Sequence, residues 1–449
     1  MGFLKDQDLA VLALLAGIGV VLSVVLLVVS IRHFPLAIFL VALAPFFSSL
    51  FLPNSDAVIA ETPGSFVRLL LIALMGVAGG IVAFRIHQTT REPVPIPLKL
   101  LGLFLAYALV STVYSLNWEY TAIRAGSFLT FYFFLLGLYF WIRSEAHFEA
   151  ALGAILTMVL LCLLLCAFSF FVWPSHVWLY SAPSRFQGLW GHPNNLGLFC
   201  MLSYPLLLWK FSRSTSFARW VIGIALVMAG GMHLLSGSRT SLFAACIGLL
   251  IWFALTRQFG KLIYGVVVAM MLAITLAIWT PASFERSGNA DLADLTGRNE
   301  TWRLALQYSF RKPLLGYGYD VDGEMMKGDR NPIIAQKQLP GVRISLHNGY
   351  LNTFSGLGAV GLLLWLAIVL FGLWRSWLLP ASDYRALFVA TMVMGLVVNQ
   401  TETSITGGRT LLGVFFWLSW TLALRAYELS VAESEEPEGL SAASLPEPL

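Results

Sequence analysis

The chain has 449 residues, of which 58% are hydrophobic and only 12% charged, with a formal net charge of +4. A soluble domain carries roughly 25% charged residues, so this chain is short of the charge needed to coat a water-facing surface. Composition excludes an ordinary soluble enzyme and predicts an all-α, polytopic integral membrane protein.

Apolar runs of about 20 residues recur from Leu9 to Tyr427, each long enough to cross a hydrocarbon core ~30 Å thick as a helix. In lipid the backbone must satisfy its own hydrogen bonds within the segment, which helices do. In chain order the runs predict spans at Leu9–Ile31, Phe34–Leu52, Phe66–Phe84, Ile96–Leu116, Ala125–Ile142, Phe148–Trp173 and Asn195–Phe211. Further spans follow at Trp220–Leu235, Thr240–Thr256, Leu262–Thr280, Leu351–Trp374, Arg385–Val398 and Thr410–Tyr427. Pro35, Pro45 and the Ser48-Ser49 pair weaken the second run, read as a short or re-entrant piece, so the total is about twelve or thirteen. The first run lacks a basic leader and a small-residue cleavage site, so no cleavable signal peptide is expected. Cys162, Cys166, Cys200 and Cys246 all lie inside apolar runs without accompanying His or carboxylate, and read as packing residues.

Orientation follows from Lys and Arg in the short loops. Arg85, Arg91, Lys99, Lys210, Arg213, Arg219, Arg257, Lys261, Arg375 and Arg385 mark cytoplasmic loops. The alternate loops then face outward: those around Asp56 and Glu61, Pro183–Asn194, Ser236–Arg239, the long loop 281–348, and Thr401–Gly408. Residues 1–427 thus form one membrane domain, and 428–449 an acidic, proline-containing cytoplasmic tail expected to be disordered. Within the long loop, Thr296 is a plausible N-cap for a helix with Trp302, Ala305, Leu306 and Phe310 on one face and Glu300, Arg303, Gln307 and Arg311 on the other. Pro313 ends it. Its apolar face suits either the membrane surface or a core inside the loop.

Exceptions to the charge pattern carry the functional signal. Arg124, Arg185, Arg239, Arg298 and Arg409 sit at outer span ends or in outer loops, with Glu119, Glu300 and Glu402 the nearest carboxylates in sequence. An arginine there is costly unless hydrated, paired or binding an anion. Its planar fork suits phosphate, although any one alone reads first as a headgroup contact or local salt bridge. Asp291, Asp294, Asp320 and Asp322 are loosely spaced and read as loop solvation, and no outer-face carboxylate cluster has the look of a magnesium site. The spans are almost empty of Asp and Glu, which disfavours an ion-coupled transporter or flippase.

Four short segments join Arg or His to Gly, Ser or Asn beside a span on this one side: "RFQGLWGHPNN", "GSRTS", "TGRNETW" and "SLHNGYL". In their order and spacing, from Arg185 to about Gly361, the chain resembles the bacterial O-antigen ligase/polymerase superfamily. The N-terminal third matches only in hydropathy. The resemblance implies a GT-C-like membrane glycosyltransferase of the bacterial inner membrane, with its active site facing the periplasm. It implies an undecaprenyl-pyrophosphate-linked glycan as donor and lipid A-core, or a second lipid-linked glycan, as acceptor. Membrane lipids are the remaining partners, and no nucleic acid, cofactor or metal is implied. Carried over residue by residue, it implies that Arg298 and Arg239 bind the donor pyrophosphate, with Arg185 a weaker third, and that His347 is the catalytic histidine. His192, Asn194, Asn348, Trp302 and Arg409 are the further substrate-contacting candidates.

The residues suit that chemistry. Fixed guanidiniums can stabilise charge growing on a leaving phosphate, and a histidine titrating near neutrality suits removal of a hydroxyl proton. For His347 the competing reading is a capping residue at the start of a span. His192, in Gly-His-Pro-Asn, reads as a turn that shapes the pocket, and Gly356, Gly358 and Gly361 as small residues that press the following helix against the Arg239 span. Ligase and polymerase differ in acceptor, which these motifs barely separate; the modest length and single large loop favour the ligase.

Overall fold

A computed structural model describes residues 6–50, 63–179, 182–258, 260–261, 298–327, 345–380, 382–402 and 405–435. The described residues contain thirteen α-helices. In chain order they are α1 (Asp6–Arg32), α2 (Phe34–Leu50), α3 (Pro63–Thr90), α4 (Ile96–Val110), α5 (Trp118–Trp141), α6 (Glu145–Val172) and α7 (Pro193–Arg213). There follow α8 (Ser216–Ser236), α9 (Arg239–Leu255), α10 (Arg298–Ser309), α11 (Gly349–Leu378), α12 (Asp383–Val398) and α13 (Leu411–Glu435). A small antiparallel ribbon, β1 (Trp178–Leu179) against β2 (Ala182–Phe186), lies between α6 and α7. Among the described residues, six helices have the length and apolar composition to cross a membrane, and Gly19–Arg32, Phe34–Phe47 and Arg239–Leu255 are shorter apolar helices. The protein is a multi-pass, all-α membrane protein.

Most observed helices match the predicted spans to within a few residues. The span at Leu262–Thr280 lies outside the described residues, as do Asp56, Glu61, Asp291, Asp294 and Thr296. The second run is a short helix, α2, that passes through Pro45 without a break. Membrane helices tolerate such a proline because neighbours re-satisfy the freed backbone. At the other end, α13 continues to Glu435, past the expected tail boundary at 428. The added turns are held because Glu428 bonds Tyr139 and pairs with Arg425, and Leu429 packs on the core.

Two packing solutions build the bundle. Where α3 meets α5, glycines allow backbone contact: a Cβ added at Gly137 would lie 2.4 Å from Gly79 Cα, and one at Gly76 would lie 2.4 Å from the Thr130 carbonyl. Small residues allow such approach between membrane helices. Elsewhere bulk fills the space. Helix α13 is buried along most of its length, with Trp417 and Trp420 inaccessible and their indole nitrogens donating to the carbonyls of Ile405 (2.9 Å) and Ile368 (3.0 Å). At one end of the bundle Arg425, only 8% exposed, bonds Glu92 and the Ile142 carbonyl, so α13 is tied there to the turns after α3 and α5.

The helix directions sort the polar residues by end. The basic residues assigned to cytoplasmic loops gather at the Arg425 end, together with exposed Trp220, Trp374 and Trp377. Exposed Trp118 and Trp173 mark the opposite end, where α7, α9 and α11 begin and α12 stops. Tryptophan favours the two membrane–water interfaces, so these residues outline two belts. His347 stands at the second.

Candidate active site

Helix α11 starts with Asn348 as its N-cap, the side-chain Oδ1 accepting from Leu351 N at 2.9 Å. Asn348, a substrate-contacting candidate, thus uses its Oδ1 for the cap, and its amide NH2 is the group left to meet a ligand. Directly before it, His347 has φ +46°. That left-handed conformation is uncommon for a residue with a Cβ, though His is among the types that adopt it. Two contacts hold it. His347 N donates to Ser345 Oγ at 3.3 Å, and Gly349 N donates to the Asn399 carbonyl at 2.8 Å. Glycine at 349 permits this approach, because a Cβ would run into the buried Asn399 side-chain amide. The start of α11 is thereby pressed onto the end of α12.

This junction produces the site. Beyond Asn399 the chain turns, with Thr401 N and Glu402 N both donating to the Val398 carbonyl, and Glu402 comes to face His347. Glu402 Oε2 lies 3.6 Å from His347 Nδ1, and its Oε1 lies 3.9 Å from Arg298 Nη2. Arg298 also donates from Nη1 to the Thr401 carbonyl at 2.8 Å. Burial pushes the Glu402 carboxyl up, but the His347 and Arg298 side chains, with His192 as a weaker contributor, outweigh it and hold it below the ordinary carboxylate range. The glutamate therefore stays ionised between a histidine and an arginine. The His347 side chain keeps 43% of its surface exposed, so the imidazole is open on its remaining side.

Helix α10 supports the arrangement. Trp302 Nε1 donates to the Leu346 carbonyl at 2.7 Å, so this expected substrate contact steadies the segment ahead of His347. The buried face of α10 is Thr301, Leu304, Ala305 and Ser309, packed with Tyr317, Val321 and Leu346 into a core of their own. Leu306 and Phe310, expected on the same apolar stripe, are exposed. The helix thus builds a core inside the loop with one face and leaves Leu306 and Phe310 outside it.

Three further expected residues form the next layer. His192 is the N-cap of α7, its Nδ1 accepting from Asn194 N at 3.1 Å. Asn194 Oδ1 accepts from Arg185 Nη2 at 2.8 Å, and Arg185 Nε donates to the Ser236 carbonyl at 3.0 Å. Arg185 is buried and clamps the ribbon to the α8–α9 turn. Arg239 opens α9 at the same end of the bundle and is exposed. Helices α9 and α12 pack antiparallel, Gly248 against Met394, which brings Arg239 level with the Glu402 turn. His233, Tyr204 and Ser241 brace that helix, with His233 Nε2 2.8 Å from Ser241 Oγ. Arg409 is seven residues beyond Glu402 and belongs to a different group of charges.

The glycines of α11 act differently from expectation. At Gly358 the helix breaks, with φ +66° and ψ −167°. A Cβ there would lie 2.1 Å from the Leu314 carbonyl oxygen. The carbonyls freed by the break are taken up by the loop after α10: Tyr317 N donates to Ser355 (2.9 Å) and Gly318 N to Gly356 (2.8 Å). Gly356 and Gly358 therefore press α11 against residues 313–318, not against the Arg239 span; both partners expose backbone, which only glycine lets come this close. Asp320, expected to be loop solvation, is instead bonded: it lies 3.2 Å from Arg124 Nη1 and accepts from Asn352 Nδ2 at 2.8 Å.

Glu402 is the residue of the site that sequence reasoning noted only as a nearby carboxylate. Its signal was present, as one of few acidic residues at that rim.

Fold and site together define a multi-pass membrane protein with a cation-rich polar site at one rim of an α-helical bundle. Residues 224–366 match the family described as O-antigen ligase. An O-antigen ligase of Pseudomonas aeruginosa is 28% identical over 179 residues, covering 40% of this chain and 40% of the relative. The two matches support the O-antigen ligase superfamily, as the sequence motifs suggested. The family stretch holds Arg239, Arg298, Trp302, His347 and Asn348, while Arg185, His192, Asn194, Glu402 and Arg409 fall outside it.

Proposed function

We propose that the protein is a metal-independent glycosyltransferase of the inner membrane, moving a preassembled glycan from undecaprenyl pyrophosphate to lipid A-core at the periplasmic face. The observation that carries the reading is Glu402 set between His347 Nδ1 and Arg298. A carboxylate beside Nδ1 favours the tautomer with its proton there, leaving Nε2 as the base. His347 Nε2 takes the proton of the acceptor hydroxyl as its oxygen attacks the anomeric carbon. The bond to the pyrophosphate breaks, and the negative charge on the leaving group falls to Arg298 and Arg239. Donors fixed in advance where charge develops stabilise it most. The basic residues at the Arg425 end support the periplasmic orientation of the other end.

The test is reconstitution. The purified full-length protein is incubated in nanodiscs with a lipid-linked glycan, with EDTA present, and offered lipid A-core or a second lipid-linked glycan. Glycan transfer to the core supports the ligase. Chain extension on the second glycan would replace it with a polymerase, and neither product would overturn both. Loss of transfer on adding EDTA would reject the metal-independent route.

A further inference from the structure

A second group of arginines lies at the same end of the bundle, apart from the His347–Glu402–Arg298 cluster. Arg68 is in the second turn of α3, Arg124 in the second turn of α5, and Arg409 just before α13. Their convergence follows from the packing. Helices α3 and α5 run parallel, with Gly76 against Thr130 and Gly79 against Phe134. Stepping back along both helices from Gly76 and Thr130 brings Arg68 to within a turn of Arg124. The Gly408 backbone lies on α5 as well, since a Cβ there would meet Phe131 at 2.2 Å and Phe128 at 2.9 Å. Phe128 is one helical turn from Arg124, so Arg409 joins the same corner. Arg68 accordingly feels the positive charge of both Arg409 and Arg124.

Among the described residues, Asp320 is the carboxylate paired with this group, at 3.2 Å from Arg124. The Nε of Arg68 is buried without a hydrogen-bond partner. Like charges gathered at the edge of a low-dielectric bundle repel, and their proximity is stable when an anion sits among them. Guanidiniums from three elements at one corner offer forked donors suited to a multiply charged oxyanion.

We propose that Arg68, Arg124 and Arg409 form a second anion site, which holds a phosphomonoester or pyrophosphate group carried by a membrane-embedded substrate lipid. The transfer reading supplies two sources of such a group: the phosphorylated acceptor, which fits its placement of the donor pyrophosphate on Arg298 and Arg239, and the isoprenoid donor, which would move that pyrophosphate here; phosphate binding itself does not depend on transfer. Arg409 follows Glu402 by only seven residues, so a lipid anchored at the second cluster presents its sugar toward the first.

Binding to the full-length protein in phosphatidylcholine nanodiscs tests this, with three probes: diphosphorylated lipid A, farnesyl pyrophosphate, and phosphatidylglycerol as a phosphodiester control. Arg68→Gln with Arg409→Gln is expected to weaken one of the first two by at least about tenfold, the value of losing charge-assisted bonds. The probe affected identifies the source. Asp320→Asn, which keeps a side chain tolerant of the φ of +55° at that position, is expected to tighten the same probe. A gain of affinity cannot come from misfolding. Unchanged affinity for both phosphorylated lipids in the double variant, or equal binding of phosphatidylglycerol, would overturn the proposal. Binding that survives intact while reconstituted transfer fails would reject the proposed reaction and leave the site standing.

Discussion

His347 carries two constraints at one residue. Its φ of +46° costs about 1 kcal/mol for a residue with a Cβ, and the surrounding contacts hold it there. His347→Asn keeps a side chain tolerant of that backbone, so it separates the imidazole from the fold better than alanine does. We expect His347→Asn to insert and melt like wild type while losing ~10²–10⁴ in turnover, the range for a positioned general base. Arg298→Ala should cost about 10²–10³ in kcat, as loss of one donor to a developing oxyanion does. Glu402→Gln should cost about 10–100-fold, the usual effect of removing a carboxylate that orients a histidine, with the loss in kcat rather than KM. The glutamate also makes a stability prediction. Its carboxyl is held below its ordinary value, so its stabilisation is present above the unfolded pKa of about 4.3 and is lost as pH falls through the lower folded value. The difference in melting temperature between wild type and Glu402→Gln should be constant near neutrality and vanish only in acid.

At the scale of elements, α11 is a membrane helix in two pieces. Residues 349–357 form a short upper helix whose N-terminus carries the histidine, and 359–378 complete the span. The break survives because the loop after α10 donates to the freed carbonyls, the condition under which irregular backbone is tolerated at membrane depth. Gly358→Ala places a Cβ in the Leu314 carbonyl at a backbone conformation that is essentially glycine-only. The conformational term alone is about 1–3 kcal/mol, and the clash adds to it. Reduced melting temperature together with lost transfer is the expected outcome, and an active, equally stable Gly358→Ala would show that the break is dispensable. Hydropathy read α11 as one uninterrupted span, because an apolar run has the same composition whether its helix is straight or broken. The glycines were visible, but their partner was not, since Leu314 and Gly318 lie across a loop whose path sequence does not specify.

For the molecule as a whole, the spans were legible because lipid forces long apolar helices, and their ends follow from where polar residues begin. The polar rim was legible too, through arginines that break the loop-charge pattern. The particular pairings were not. Glu402 meets His347 through the approach of Gly349 to Asn399, and Asp320 meets Arg124 across nearly two hundred residues, both products of tertiary packing. At the opposite end, Arg425 with Glu92, Tyr139 and Glu428 fastens three helices. Arg425→Ala removes a buried guanidinium from two partly exposed carboxylates and the Ile142 carbonyl, a loss of charge-assisted bonds expected to cost about 1–3 kcal/mol. Melting in detergent should fall markedly, while transfer per folded molecule stays unchanged because the site is at the other rim.

The tryptophan belts have a kinetic consequence. Exposed Trp118 and Trp173 mark the His347 rim as an interfacial end, so the proposed transfer between two lipid-borne substrates there is a two-dimensional encounter. Its rate should follow the mole fraction of each substrate in the bilayer and fall on dilution with inert lipid, even at constant amounts of substrate and protein.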